Sequence, residues 1–300
     1  MKKISKKRLL AKILLCGVVI LSAYLICDQY VILTPEYTIK SDKVQNGFKI
    51  ALISDLHNMD FGNGNRKVID TIKRNSPDMI AVVGDMIDER STDITPTLSL
   101  MKQLPDIAPT YYVLGNHDKS CPQYETFKKE IMSSKVHFLR ATDNGKEIIS
   151  KAEITATFNG DKVHILGLHT YSNGEYEDPR YTEIMDKFCS KSGFKILLCH
   201  YPEFTPWFFG QDKYYETNFD LMLCGHTHGG LIRIPFVGGL VAPNQGFFPE
   251  YDRGLFLVDK ENKNPYHMVI TGGLGQDRRC IRINNFPQVT LINVVPSEKE

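Results

Sequence analysis

Phe219-Asp220-Leu221-Met222-Leu223-Cys224 runs directly into Gly225-His226-Thr227-His228-Gly229-Gly230, and the reading of the whole chain turns on this stretch. The first half is apolar enough to be a short buried strand. The second half is a glycine-flanked pair of histidines. Glycine lets a backbone turn sharply and adopt positive φ. Two imidazoles spaced i and i+2 can then address one small volume beyond the strand end. Imidazole is the commonest protein ligand for a transition metal. Taken alone, the stretch is equally well read as a loop with two surface histidines. Other strand ends must decide.

Working outward, the same pattern recurs. Phe48-Lys49-Ile50-Ala51-Leu52-Ile53 reads as a strand ending at Ser54-Asp55-Leu56-His57. Met79-Ile80-Ala81-Val82-Val83 ends at Gly84-Asp85-Met86-Ile87-Asp88, and Tyr111-Tyr112-Val113-Leu114 at Gly115-Asn116-His117-Asp118. Lys195 to Cys199 runs into His200, and hairpin-like strands are expected between Ile148 and Leu168. Val68 to Arg74, Thr97 to Leu104 and Tyr124 to Ser133 have helical spacing. The alternation predicts an α/β layered fold with two sheets, no internal repeat and one large domain.

Open α/β sheets place their sites at strand C-termini. Those ends supply Asp55, His57, Asp85, Asn116, His117, His200, His226 and His228. Each has a plain explanation by itself: Gly-Asp makes turns, and Asn-His-Asp can cap a helix. Together they place five of the nine histidines on loops of one kind. Carboxylate, imidazole and amide oxygen in one set suit two adjacent Mn, Fe or Zn ions better than one tetrahedral zinc. Asp85, in the middle of the set, is the natural bridge between two positive ions.

The ordered motifs Asp55-x-His57, Gly84-Asp85-x-x-Asp88, Gly115-Asn116-His117-Asp118, His200 and Gly225-His226-x-His228 resemble the calcineurin-like metallophosphoesterases over roughly residues 46–295. The N-terminal apolar segment, Ile232-Arg233-Ile234-Pro235 and Gly272-Gly273-Leu274-Gly275 are similar to the membrane-anchored bacterial branch, whose Gln and Glu are replaced here by Leu231 and Gln288. The resemblance implies a four-layer α/β-β/α sandwich and a metal-dependent phosphoric-ester hydrolase working through metal-activated hydroxide. One metal would be held by Asp55, His57, Asp85 and His228, the other by Asp85, Asn116, His200 and His226. His117 would be the general acid and Asp88 its orienting partner. The implied substrate is a phosphodiester, pyrophosphate or phosphomonoester, lipid-linked or from the cell envelope, such as UDP-2,3-diacylglucosamine. A membrane-tethered binding protein with a structural metal site, or a metal-free scaffold, is the competing reading. A filled ligand set with an acid beside it favours the enzyme. Arg66 and Arg233 are open to two readings, a grip on a distal phosphate or a solvated surface. The stripe Phe204, Trp207, Phe208 and Phe209 fits an acyl chain or membrane contact as well as a helix packed on the sheet, and His169 fits pocket lining or a structural role.

Composition sets the outer limits. The chain has 300 residues, 42% hydrophobic and 24% charged, enough for a substantial core. Its net charge of +1 hides an asymmetry, because Lys2, Lys3, Lys6, Lys7, Arg8 and Lys12 crowd the start. Without these six, 30 basic face 35 acidic residues, about −5, which excludes the basic face a nucleic-acid partner requires. The run Ile13 to Cys27, extended by Leu9-Leu10-Ala11, fits either a signal peptide or a retained anchor. A small-x-small cleavage site is missing, since Leu21 and Tyr24 crowd Ala23, and this favours the anchor. The expected organisation is residues 1–45 as basic N-terminus, transmembrane anchor and stalk, followed by a catalytic domain over 46–300. The positive-inside rule sends that domain out of the cytoplasm as a single-pass membrane protein. A monomer is expected, and the seven cysteines read as thiols without a disulfide framework.

Overall fold

The structure is a computed structural model, and it describes residues 6–140, 142–143, 146–147, 152–168, 179–203, 218–258, 264–276 and 282–297. His169, the stripe from Phe204 to Phe209 and Cys280 lie outside the described residues.

A long helix α1 (Lys6–Tyr30) leads into β1 (Glu36–Ser41), β2 (Phe48–Ile53), α2 (Arg66–Asn75) and β3 (Met79–Val83). Then come α3 (Thr95–Gln103), β4 (Thr110–Val113), α4 (Asn116–Ser120), α5 (Tyr124–Met132) and β5 (His137–Phe138). A small hairpin of β6 (Thr142–Asp143) and β7 (Lys146–Glu147) precedes β8 (Glu153–Phe158), β9 (Asp161–Leu168), α6 (Pro179–Cys189), β10 (Phe194–Cys199) and β11 (Leu221–Cys224). The last part holds two short hairpins, β12 (Arg233–Ile234) with β13 (Gly238–Gly239) and β14 (Val241–Ala242) with β15 (Gly246–Phe247). It closes with β16 (Gly254–Val258), β17 (Tyr266–Ile270) and β18 (Thr290–Pro296).

Two six-stranded sheets result, ordered β1-β18-β2-β3-β4-β5 and β16-β17-β11-β10-β9-β8. Strands β2 to β5 are parallel, as are β9, β10, β11 and β17, so their C-terminal ends point the same way within each sheet. Strands covered on both faces read as continuous apolar runs, and β3, β4, β10 and β11 are buried at every residue. The two sheets pack on each other through Ile50, Leu52, Ala81 and Val83 on one side and Ile196, Leu198, Leu221 and Leu223 on the other. Helices α2, α3 and α5 cover the outer face of the first sheet through Val68, Ile72, Leu100 and Phe127. Helix α6 covers the second through Met185 and Phe188. These four layers are the expected α/β-β/α sandwich.

The segment read as a stalk carries a strand: β1 pairs with β18 from Glu36 to Ser41. Its alternating exposure hid it, since an edge strand with half its residues in water reads as polar linker. Helix α1 is long and apolar enough to cross a membrane. At 1.5 Å per residue it extends ~37 Å, against a hydrocarbon layer of ~30 Å. Its last turns are fastened to the domain. The Asn285 N–H donates to the buried Asp28 carboxylate at 2.8 Å, and Gln29 Nε2 donates to the Arg282 carbonyl at 2.9 Å. Cys121, Cys189, Cys199 and Cys224 are buried free thiols.

Candidate metal centre

The site is built where the C-terminal ends of the two sheets meet. Beyond β2 and β3 the ladder continues through the loops, with Asp55 N–H bonded to the Gly84 carbonyl and His57 N–H to the Asp85 carbonyl, both at 3.0 Å. From the other sheet His200 reaches across, its Nδ1 lying 2.7 Å from the Val83 carbonyl. The His226 N–H likewise faces both oxygens of Asp55, at 3.2 and 3.1 Å. A Cβ at Gly115 would overlap the Asp85 carboxylate, so only glycine lets β4 deliver Asn116 and His117 this close.

Five of the expected ligands adopt the left-handed conformation: Asp55 (φ 51), His57 (φ 47), Asp85 (φ 54), His226 (φ 70) and His228 (φ 50). Non-glycine residues pay of order 1–3 kcal/mol each for such backbone, and it persists where the surroundings impose it, most often at functional sites.

Three ligand-type groups result: Asp55, His57 and His228; Asp85, His200 and His226; and His57, Asp88 and His117, with the donor atoms of each group within 4.8 Å of one another. Asp85 Oδ2 sits between the first two, 3.1 Å from His200 Nε2 and 3.9 Å from His57 Nε2. Its other oxygen accepts the His117 backbone N–H at 2.8 Å. Buried polar atoms are nearly always hydrogen-bonded. Here His57 Nε2, Asp85 Oδ2, Asn116 Oδ1, His200 Nε2 and His228 Nδ1 are all buried without a hydrogen-bond partner. A cluster of orphaned imidazole nitrogens and carboxylate and amide oxygens is the donor set of a divalent metal centre, and the residues fit that group.

Charge in the cluster is sorted the same way. Burial opposes the charged form of His200, but the adjoining Asp85 carboxylate outweighs it and lifts the imidazole to about 10. Asp85, despite burial, is held far below the usual carboxylate range by His200 and His57. His57 is raised against burial by Asp88 and the charges of Asp85 and Asp55. Burial, aided by the charge of His200, lowers His226 to about 3, and burial lowers His228 strongly as well. The Asp55 and Asp85 carboxylates thus favour positive charge on the imidazoles beside them, as they would favour bound cations.

The structure brings Asp55, His57, Asp85, Asp88, His117, His200, His226 and His228 together. Asp88, expected beside His117, has its Oδ2 3.4 Å from His57 Nδ1, and this contact holds its carboxyl at about 2. The carboxylate nearest His117 Nδ1 is Glu89, at 3.9 Å. Asp88 is thus within reach of both His57 and His117, with which it forms one donor group. Arg66 pairs with Asp70 at the surface. Arg233 braces the histidine loop, donating to the Gly229 carbonyl and to Asp252, both at 2.7 Å.

Three supporting residues were missed. Asp118 accepts backbone N–H groups from Asp85, Met86, Ile87 and Gly115 and the Tyr112 hydroxyl, at 2.7–3.0 Å. The expectation of a cap was correct for it, as the Gly115 bond closes the first turn of α4, but one side chain does both tasks. Asn285 Nδ2 donates to the carbonyls of His228 and Leu231 at 2.6 and 3.0 Å. Asn244 places Nδ2 3.0 Å from His226 Nε2. No spacing rule links Asn244 or Asn285 to a histidine so far along the chain.

Comparison with known proteins agrees with this geometry. The family model for calcineurin-like phosphoesterase matches residues 48–230. The chain is 28% identical over 274 residues to the uncharacterized metallophosphoesterase YkuE of Bacillus subtilis, covering 89% of this chain and 87% of that one. It is 26% identical over 260 residues to phosphodiesterase YaeI of Escherichia coli, covering 83% and 82%. Among solved structures, Thermus thermophilus sulfate thiohydrolase SoxB shares the fold at a TM-score of 0.50 and 12% identity. That alignment covers 77% of this chain and 53% of SoxB.

Proposed function

This chain belongs to the calcineurin-like phosphoesterases and is a phosphoric-ester hydrolase, and from that premise we propose a binuclear enzyme that cleaves a phosphodiester or pyrophosphate bond of an amphipathic, cell-envelope substrate such as UDP-2,3-diacylglucosamine. The observation that carries the reading is Asp85 Oδ2, buried without a hydrogen-bond partner, 3.1 Å from His200 Nε2 in one donor group and 3.9 Å from His57 Nε2 in the other. Asp55, His57, Asp85 and His228 would hold one ion, and Asp85, Asn116, His200 and His226 the other, the ions being Mn, Fe or Zn. When bound, such a pair supplies an activated water and offsets the charge that grows on the phosphoryl oxygens. The chain's own groups do the rest. Asp88, against His57 Nδ1, fixes that imidazole's tautomer and raises its basicity. His117 lies at the edge of the cluster with its side chain 15% exposed, so it reaches both site and solvent. It is suited to protonate the departing oxygen, an effect typically ~10²–10⁴-fold. Kinship with a protein named phosphodiesterase supports the diester preference.

We place the domain outside the cytoplasm, held by a retained α1. The six basic residues before the apolar run support the orientation, and the contacts of Asp28 and Gln29 support retention. The test is metal content and turnover of bis(p-nitrophenyl) phosphate by the purified chain. About two metals per chain and saturable hydrolysis are expected, and Asp85→Ala should lower both occupancies. Full metal and full activity in that variant would overturn the bridge.

A further inference from the structure

We propose that the hairpins β12–β13 and β14–β15, with the adjoining loop at Ile283, form a docking face that seats on an anionic lipid bilayer beside α1, so that the metal cluster opens at headgroup level. This rests on α1 being a retained span. Counting from Leu9, a ~30 Å hydrocarbon layer takes ~20 residues and ends near Asp28. The domain does not begin above that level. Tyr24 Oη donates to Asn284 Oδ1 at 2.8 Å and its ring meets Phe286 edge-on at 6.3 Å. Tyr24 is four residues below Asp28, ~6 Å along the helix axis. The loop carrying Asn284 and Phe286 is thus held at the edge of the apolar layer, where tyrosine belts lie.

That loop also carries the hairpins. Arg233 N–H bonds to the Ile283 carbonyl and Asn284 Nδ2 to the Arg233 carbonyl, each at 3.0 Å. The Phe248 N–H bonds to the Leu240 carbonyl, which ties the second hairpin to the first. The β12–β13 tip is bare, with Phe236 fully exposed and Val237 at 62%, and so is the end of β15, with Phe247 at 74% and Phe248 just after it at 63%. Among the described residues, every exposed phenylalanine lies here. Phe236 and Phe248 also sit at φ 67 and φ 54. A solvated turn at positive φ takes glycine or asparagine. Bulky aromatics, disfavoured there both by backbone and by water, point to an apolar partner for their rings. Charge marks that partner's surface. Tyr30 and Ile32, just past the span, line a cavity of about 600 Å³ together with Lys67, Lys73, Arg74, Thr71 and Asp70, the last paired with Arg66. Three cations at the end of a membrane helix match anionic headgroups. The inner side of the β14–β15 turn is Asn244, against His226, so the docking face borders the catalytic cluster. A substrate could present its phosphoester there while its acyl tail stays in the bilayer.

The full chain is reconstituted into vesicles of phosphatidylcholine and phosphatidylglycerol, with Trp207→Phe removing the single native tryptophan. Phe236→Trp and Phe247→Trp then serve as reporters against brominated acyl chains. A blue shift and quenching of both are expected. A Phe236→Asp, Phe247→Asp double variant should lose about tenfold of its rate on vesicle-borne hexadecyl p-nitrophenyl phosphate. It should keep its rate on soluble bis(p-nitrophenyl) phosphate. If α1 resists alkaline carbonate extraction but both reporters stay unquenched, the face lies in water and the proposal falls. Unquenched reporters that cross-link between chains would mean that a second copy covers the face, which overturns it equally. Extraction of α1 by carbonate would instead refute the anchor, and the docking face with it, while leaving the phosphoesterase reading intact.

Discussion

Asp118 gives the most discriminating single substitution. Its carboxylate touches none of the nominated ligand side chains, yet five donors converge on it. Oδ2 accepts from Asp85 N–H at 2.9 Å, Gly115 N–H at 2.8 Å and Tyr112 Oη at 2.7 Å. Oδ1 accepts from Met86 N–H at 2.8 Å and Ile87 N–H at 3.0 Å. In Asp118→Asn, one oxygen becomes an NH₂ group that must face at least two of these donors in either orientation. Two charge-assisted bonds are lost, at about 1.5–3 kcal/mol each, so destabilisation of about 3–6 kcal/mol is expected. For a chain of this size that lowers Tm by on the order of 10 °C. Tyr112→Phe removes one donor and leaves the carboxylate, and should cost only ~1–1.5 kcal/mol. Because Asp118 fixes the strained backbone of Asp85, the Asn variant should also lose about 10²-fold in kcat/KM through misplacement alone. Thermal unfolding in chelator, with diesterase kinetics after metal is restored, reads both. An Asn variant within ~1 kcal/mol of the parent and with unchanged kcat/KM would refute the assignment.

Other outcomes follow from the same geometry. His117→Asn should keep its metal but lose ~10²–10⁴-fold on substrates with alkoxide leaving groups, and far less on nitrophenyl esters, which need no proton; equal losses would remove it as the acid. His226→Asn should slow both substrates alike. Below about 10, His200 carries a proton that a divalent ion must displace, so metal affinity should fall as pH falls, up to about tenfold per unit for each proton released. Calorimetric titration of Mn²⁺ into chelator-treated protein, in buffers of different protonation enthalpy, measures that release near neutral pH, and none detected would contradict the charge pairing. Asn285→Ala, by freeing the His228 loop, should weaken metal binding by roughly 10–100-fold while leaving α1 in the membrane. Finally, a reporter that is active only in the cytoplasm, fused after Glu300, should stay silent, and strong signal would reverse the orientation.

Most of the fold and nearly the whole donor set were legible along the chain, because each feature is local. A strand buried on both faces is largely apolar, so β2, β3, β10 and β11 announced themselves despite Lys49 and Lys195. Each strand end carried its ligand-type residues within about four positions. Strand β1 was not legible, since at the sheet edge its residues alternate between water and protein and only pairing with distant β18 makes it a strand.

What the sequence alone determined is therefore the chemistry: which side chains could hold divalent ions, and that an apolar helix precedes them. Tertiary structure decided how they are shared out. The resemblance gives Asp88 to His117, and the packed structure sets it against His57 as well. Asn244, Asn285 and the buried Asp28 acquire roles only because loops separated by up to 257 residues are packed together. Hydrogen bonding and charge pairing act over a few ångströms of space, and no periodicity along the chain encodes which distant loops will meet there.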